Sequence, residues 1–325
     1  ATGENKLVAL EEATGSVVWT YQFRARVTSS SPAIAHEILF VATHDRLLHA
    51  LDVNSGNLNW SYDMGGQVFG SPTVVKGSLY FGSTNGHLYS LDARTGKLLW
   101  KSQRTHTNRA VERITSSPTI NQGILVAGSY DENLHILDSA SGEKRYLLHI
   151  GEYIKNAITV VENYAYFTTS SGLIVAVDYT KRNFPFQKGI WAIWRQLALW
   201  EFAPRPPHPP GVVWVRETDG PVQRNLATDG RRLFVATATG TLSALDTKTG
   251  EPLWTVKDLD PIMSSPIISG DAVIQTTVNG TIYGFNPESG EQRWKFSIGE
   301  IVTASPILAI GILYVPTIEG SLYAL

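Results

Sequence analysis

Eight histidines, together with acidic and hydroxyl side chains spread along the chain, are the residues of this sequence equipped for chemistry. Histidine titrates near neutrality and ligates metals, and a serine set against a histidine and a carboxylate can act as a nucleophile. The spacing points elsewhere. His49 and His135 occupy the place in short apolar segments that Tyr89, Tyr283 and Tyr323 occupy in others, which predicts packing aromatics rather than ligands. His44-Asp45 and Asp131-Glu132 fall in predicted turns, where polar side chains serve the backbone. A Ser-His-Asp set can be drawn from many members, but no Gly-x-Ser-x-Gly elbow accompanies it. Walker, His-Glu-x-x-His and EF-hand patterns are absent. There is no cysteine, which excludes disulfides, thiolate ligation and cysteine nucleophiles. No catalytic residue and no metal site is predicted.

The repeated aspartates lead to the architecture. Asp52, Asp92, Asp138 and Asp246 each open a phrase Asp-x-x-(Thr/Ser)-Gly-x-x-x-aromatic, and Glu11–Trp19 and Asn286–Trp294 are variants of it. The phrase glycines stand at 15, 56, 96, 142, 250 and 290, a period near 40 residues with one long interval. Inside that interval Asp178 begins the same spacing and ends it on Phe186, with Arg182 in the glycine's place, giving seven phrases. Turn capping accounts for these aspartates better than calcium does. Before each phrase stand short runs rich in Val, Ile, Tyr and Thr, separated by turns such as Asn85-Gly86, Asn279-Gly280 and Glu319-Gly320. The runs open on Ser31-Pro32, Ser71-Pro72, Ser117-Pro118, Ser265-Pro266 and Ser305-Pro306, and proline suits a first strand residue that donates nothing to the ladder. Repeats four and five carry Asn156-Ala157 and Asn225-Leu226 there instead.

This pattern predicts an all-β fold, a seven-bladed β-propeller with four-stranded antiparallel blades in one domain, residues 1–325. The chain stops where an eighth phrase would start, so Val17–Phe23 is expected to supply the outer strand of the last blade and tie the termini together. Leu7–Leu10 and Leu322–Leu325 both fit the third strand of that blade, which leaves eight blades as the alternative. Formal charge is −2, so no global field favours nucleic acid. No run of apolar residues is long enough to span a bilayer. The start at Ala1 suits a processed product, with any signal or anchor outside this chain.

The phrase Asp-x-x-Thr-Gly-x-x-x-Trp, with Leu-x-x-Leu before it and Ser-Ser-Pro after it, resembles the tryptophan-docking repeat of the pyrroloquinoline-quinone-like propellers over essentially the whole chain. That resemblance implies that Trp19, Trp60, Trp100, Trp254 and Trp294, with Tyr146 and Phe186 as substitutes, pack between adjacent blades. The family holds quinone-dependent dehydrogenases, non-catalytic scaffolds such as the outer-membrane assembly propeller, and sensor domains. The dehydrogenases are similar in repeat but add a vicinal cysteine pair beside the quinone, a calcium site and a catalytic aspartate in a longer chain. The cysteine pair is absent here, and the scaffold branch resembles this chain better, so no cofactor is predicted.

One segment departs from the repeat. Trp254 is followed by its next strand at Ser264, whereas Phe186 is followed only at Asn225, so residues 187–224 hold an insertion between blades. Gly189–Phe202 fits an amphipathic helix with Ile190, Trp191, Ile193, Trp194, Leu197, Ala198 and Trp200 on one side and Arg195 and Gln196 off it, ending before a polyproline run at Pro204. Lys181, Arg182, Lys188, Arg195, Arg205 and Arg216 against Glu201 make this region cationic. The helix is expected either to fold over the worn fourth and fifth blades or to dock through Trp191, Trp194, Arg195 and Leu197 on a partner protein or a membrane interface. Arg26, Arg113, Lys155 and Arg224, with Arg24 and Arg109 beside them, precede first strands and would rim the channel mouth. The sequence therefore reads as a non-catalytic binding or scaffold module. By resemblance it works in the periplasm or outside the cell, within a membrane-associated assembly of other proteins. The alternatives are a quinone- or metal-binding oxidoreductase and the ligand-sensing ectodomain of a larger receptor.

Overall fold

Runs of Val, Ile, Leu and aromatic residues cut by Gly and Asn turns become strands throughout, with side chains alternating between two faces. The computed structural model describes residues 5–28, 30–104, 113–154, 156–181, 187–204 and 211–325. Two compact units result, residues 1–147 with 151–158 and residues 148–150 with 159–325.

The first unit opens with a two-stranded hairpin, β1 (Lys6–Leu10) and β2 (Val17–Gln22). Two four-stranded meanders follow, β3 (Ala33–Ala35), β4 (Ile38–Ala42), β5 (Leu47–Asp52) and β6 (Leu58–Asp63), then β7 (Thr73–Val75), β8 (Ser78–Gly82), β9 (Leu88–Asp92) and β10 (Leu98–Lys101). A third meander comprises β11 (Thr119–Asn121), β12 (Ile124–Gly128), β13 (Asn133–Asp138) and β14 (Lys144–His149).

The second unit continues with β15 (Thr159–Val161), β16 (Tyr164–Thr168) and β17 (Leu173–Asp178), then the helix α1 (Gln187–Leu199), then β18 (Val212–Glu217), which completes that sheet. Next come β19 (Ala227–Thr228), β20 (Arg232–Ala236), β21 (Leu242–Asp246) and β22 (Pro252–Val256), then β23 (Ile267–Ser269), β24 (Ala272–Thr276), β25 (Thr281–Phe285) and β26 (Gln292–Ser297). The last sheet has three strands, β27 (Ile307–Ala309), β28 (Ile312–Pro316) and β29 (Leu322–Ala324).

The chain is thus a seven-bladed β-propeller of antiparallel blades with one short helix, six blades having four strands and the last three. The terminal pairing differs from expectation. Val17–Gln22 pairs with Lys6–Leu10 in a sheet of its own, and the last blade ends on β29 without it. The reason is local: Leu7–Leu10 is itself a third strand, and closing a hairpin of a few residues costs less chain entropy than pairing strands from opposite ends of the sequence.

Second and third strands are buried on both faces, as in β4 (Ile38, Leu39, Phe40, Val41, Ala42) and β25, because neighbouring blades cover both. One cluster joins Phe40, Leu48 and Met64 to Leu79, Phe81 and Leu91 of the next blade. Another joins Phe234, Leu242 and Trp254 to Val273, Tyr283 and Phe285. Fourth strands are the exposed ones, and β2, β6, β10, β18, β22 and β26 meet the preceding strand through a register shift beside the docking aromatic, as at Ala50/Leu51, Ala176/Val177 and Ala244/Leu245.

Candidate functional site

The repeat phrase is an inter-blade joint. Asp52 Oδ1 accepts hydrogen bonds from the Ser55 amide and hydroxyl, both at 2.8 Å, and from the Asn54 amide at 3.1 Å, which folds the turn. Those bonds, the Ser55 amide foremost, hold the Asp52 carboxyl below its usual range. The Thr95 hydroxyl does the same for Asp92, the Arg145 guanidinium for Asp138 and the Thr249 amide for Asp246. The turn ends on a left-handed glycine against which the previous blade's indole lies. A Cβ on Gly56, whose φ is +70°, would stand 2.7 Å from Trp19, and one on Gly250 would stand 2.6 Å from Trp214. Each indole Nε1 donates to the carbonyl after the phrase aspartate or its counterpart: Trp19 to Val53 at 2.8 Å, Trp60 to Ala93 at 3.2 Å, Trp100 to Ser139 at 2.9 Å and Trp254 to Pro287 at 2.9 Å. Burying such a side chain is worth about 4–6 kcal/mol by area before entropy is counted.

Phe186 lies outside the described residues, and the docking place of its blade is filled by Trp214, whose Nε1 donates to the Thr247 carbonyl at 3.0 Å. The Asp178 amide donates to the Gly211 carbonyl at 2.7 Å, as the Asp52 amide donates to Asn57 at 2.8 Å. The insertion is therefore a widened turn between the third and fourth strands of one blade, β17 and β18, and residues 212–217 belong to the blade. Gly211-Val-Val-Trp214 beside Ser16-Val-Val-Trp19 is the signal that locates it. Tyr146 is half-buried in β14, and Trp294 is exposed in β26.

The Ser-Pro sites form a second joint. The Ser31, Ser71, Asn225 and Ser265 amides donate to the hydroxyls of Ser71, Ser117, Ser265 and Ser305 at 2.9, 2.8, 3.2 and 2.8 Å. Arg224, itself exposed, extends this stitching: its Nε donates to the Met263 carbonyl at 2.9 Å and its Nη2 to that of Thr303 at 3.0 Å, in the loops of the next two blades. Arg24, Arg26 and Arg113 are exposed, and Lys155 and Arg109 lie outside the described residues.

His49 and His135 serve packing. His49 contacts the Thr43 hydroxyl through Nε2 and that of Ser61 through Nδ1, both at 3.2 Å, and stacks near Phe23 with ring centroids 5.1 Å apart. Asp45 accepts from Thr43 at 2.5 Å instead of orienting the imidazole, so no serine triad forms. Burial, partly opposed by Asp45, pushes the His49 pKa down. His135 repeats the arrangement with Ser129 at 3.0 Å and Asp131 at 3.4 Å. Burial alone would raise the Asp131 pKa, but the His135 hydrogen bond and charge and the Ser129 hydroxyl outweigh it and hold the carboxyl well below the usual range. Among the described residues no three His, Asp or Glu side chains are grouped to hold a metal ion. A cavity of about 200 Å³ beside β18 and β21 has its main polar groups paired: Arg216 with the Gly250 carbonyl and Glu251, Asp219 with the Thr241 hydroxyl. The phrase aspartates Asp52, Asp92 and Asp246 are each engaged in their own turns.

α1 is the surface left open. It ends in a Schellman motif, Phe202 amide to Leu197 carbonyl at 2.9 Å and Glu201 amide to Ala198 carbonyl at 3.2 Å, with Glu201 left-handed at φ 61°. Trp194 is half-buried and donates Nε1 to the Pro204 carbonyl at 2.9 Å, which fastens Pro204 to the helix. The side chains of Trp191 and Arg195 lie outside the described residues. Ile193, Leu197, Leu199, Trp200 and Phe202 are exposed, Phe202 at 79%, and no described strand packs extensively on α1.

Comparison with known proteins places this geometry. The chain matches the family described as outer membrane protein assembly factor BamB over residues 1–184 and 192–325. It is 28% identical over 108 residues to the outer membrane protein assembly factor BamB of Legionella pneumophila, covering 30% of this chain and 28% of that one. It is 30% identical over 97 residues to the 1-butanol dehydrogenase (cytochrome c) of Thauera butanivorans, covering 26% of this chain and 14% of the dehydrogenase. These matches span less than a third of either relative's length. The crystal structure of BamB from Moraxella catarrhalis superposes with a TM-score of 0.72 at 18% identity, over 95% of this chain and 86% of that one.

Proposed function

Because the chain belongs to the outer membrane protein assembly factor BamB family, we propose that it is a non-catalytic scaffold propeller that works outside the cytoplasm and binds other proteins of a membrane-associated assembly. The observation that carries this reading is α1, an amphipathic helix that leaves a β-propeller between β17 and β18 with Ile193, Leu197, Trp200 and Phe202 in solvent. A soluble surface rarely exposes so many large apolar groups together unless something covers them, and tryptophan and phenylalanine are the side chains that anchor protein interfaces. The cationic residues around the helix favour an acidic partner surface. Co-purification from native membranes tests the reading, comparing the chain with an Ile193→Ser/Trp200→Ser variant of equal melting temperature. Loss of a stoichiometric protein partner supports it. Unchanged partners, or binding of both forms to protein-free vesicles alone, would move the interaction away from a protein partner at α1.

The dehydrogenase match gives a second reading, a quinone-binding oxidoreductase. Titration with pyrroloquinoline quinone and calcium separates the two: a saturable absorption band with a thermal shift favours the oxidoreductase, and neither favours the scaffold.

A further inference from the structure

Ser243 departs from the repeat at a position that elsewhere carries a ring. The equivalent residues of other third strands include His49, Tyr89, Tyr283 and Tyr323, each opposite a second-strand residue as Ser243 is opposite Val235. Where the ring is present, the side chain two residues beyond the previous docking indole packs on it: Tyr62 meets Tyr89 with centroids 6.3 Å apart and Phe81 at 6.5 Å. At the joint between β18 and β21 both members of that pair are changed. Ser243 has no ring, and Arg216, in the place of Tyr62, is drawn off to the Gly250 carbonyl at 3.0 Å and to Glu251 at 2.5 Å. The space they leave is the cavity of about 200 Å³, lined by Ile174, Val235 and Leu245 together with Ser243, Asp219 and Lys257. All of these residues belong to the second compact unit.

We propose that this cavity binds a small monocyclic phenol, whose ring takes the place of the one missing at Ser243. Size permits it, since an apolar cavity of about 150 Å³ admits benzene. Ile174, Val235 and Leu245 are buried and give the ring apolar walls. The Ser243 and Thr255 hydroxyls satisfy each other at 3.1 Å, so a ring seated beside them leaves neither without a partner.

The phenolic hydroxyl has a partner as well. Tyr323 donates its hydroxyl to Glu300 Oε1 at 2.6 Å, and the Ser321 hydroxyl donates to the same oxygen at 3.3 Å. The turn Thr237–Thr241 repeats Thr317–Ser321, and Thr241 donates to Asp219 Oδ2 at 2.5 Å as Ser321 donates to Glu300. The carboxylate that reads a tyrosine in one blade is thus kept in another that has no tyrosine, and Asp219 Oδ1 takes no hydrogen bond from a described residue. A phenol in the cavity donates to Asp219 as Tyr323 donates to Glu300, and a hydrogen bond to an ionised acceptor is roughly twice as strong as a neutral one. Lys257 makes no hydrogen bond or ion pair to a described residue, which leaves its ammonium for the ring face, as Lys101 Nζ stands 5.3 Å from the Tyr89 centroid.

Titration of the whole chain with para-fluorophenol, followed by fluorine NMR, tests the site. Saturable binding is expected, and para-fluorotoluene, the same ring with a methyl group for the hydroxyl, should bind at least tenfold more weakly. Asp219→Asn, which keeps an acceptor for Thr241, should bring the phenol down to the level of the toluene and leave the toluene unchanged. Ser243→Tyr restores the ring of the repeat and should abolish binding of both probes while melting no lower than the parent. If that variant does not fold, the Asp219→Asn result at this exposed residue decides alone. Absence of saturable binding, equal binding of the two probes, phenol binding indifferent to Asp219→Asn, or binding that persists in a folded Ser243→Tyr variant overturns the proposal.

Discussion

At Gly56 the backbone is left-handed and an indole lies where a Cβ would stand; at Gly15 the backbone is left-handed with nothing within 4 Å. The two positions separate conformational strain from steric exclusion. Gly15→Ala should cost only the left-handed term, about 1–2 kcal/mol. Gly56→Ala should add overpacking against Trp19 and reach roughly 2–5 kcal/mol. Urea denaturation midpoints of the two variants measure the difference, and equal shifts would mean that the indole yields freely. His49 carries a pH dependence. Its folded pKa lies below the unfolded value of 6.5, so the unfolded chain binds more protons between the two. Stability from this site is complete above 6.5 and declines as pH falls through that window. His49→Tyr, which copies Tyr89 and Tyr283, should flatten the decline in unfolding free energy over that range; an unaltered slope would place the titration elsewhere. At this scale the aspartate turns and packing histidines were legible from position in the repeat, because local geometry fixes them. The Arg224 bonds to Met263 and Thr303 were not, since they join loops distant in sequence.

Each element keeps its identity from sequence to structure, while two attachments change, that of Val17–Gln22 and that of the fourth strand after Asp178. The spacing from Asp178 led to Phe186, yet the fourth strand is Val212–Glu217 with Trp214 docked on Gly250. Ungapped spacing fails wherever an insertion enters the turn that the spacing spans, and here the turn widened to hold α1. The helix itself was legible from its 3.6-residue period, starting at Gln187 rather than Gly189 and stopped by a left-handed Glu201 before Pro204 acts. Its exposure was not legible, because an apolar face reads the same whether it meets a blade or a partner. A helix on which no described strand packs extensively is expected to be removable. Replacing residues 180–210 with the Lys-Thr-Gly of residues 248–250, which keeps the buried Tyr179, should leave the melting temperature within about 3 °C, as less than 1 kcal/mol of folding energy is at stake. A larger fall in a calorimetric scan would return α1 to a structural role.

Each compact unit is a repetition of one blade with two kinds of joint between its blades, indole on glycine turn and amide on the hydroxyl of the Ser-Pro serine. The forty-residue period announced that plan because each repeat must bury its faces against the next. At the sites described, the repeat aspartates and His49 and His135 are committed to turns and packing, and α1 departs from the repeat. The account's central claim is that α1 is where this propeller meets another protein. Photo-crosslinking in native membranes measures this most directly, with a photoreactive amino acid replacing Ile193, Leu197 or Phe202 and, as the control, Lys76 in the turn between β7 and β8. The account predicts a discrete crosslink to one protein from the three helix positions and none from Lys76. Crosslinks from Lys76 alone, or from no helix position, would contradict it.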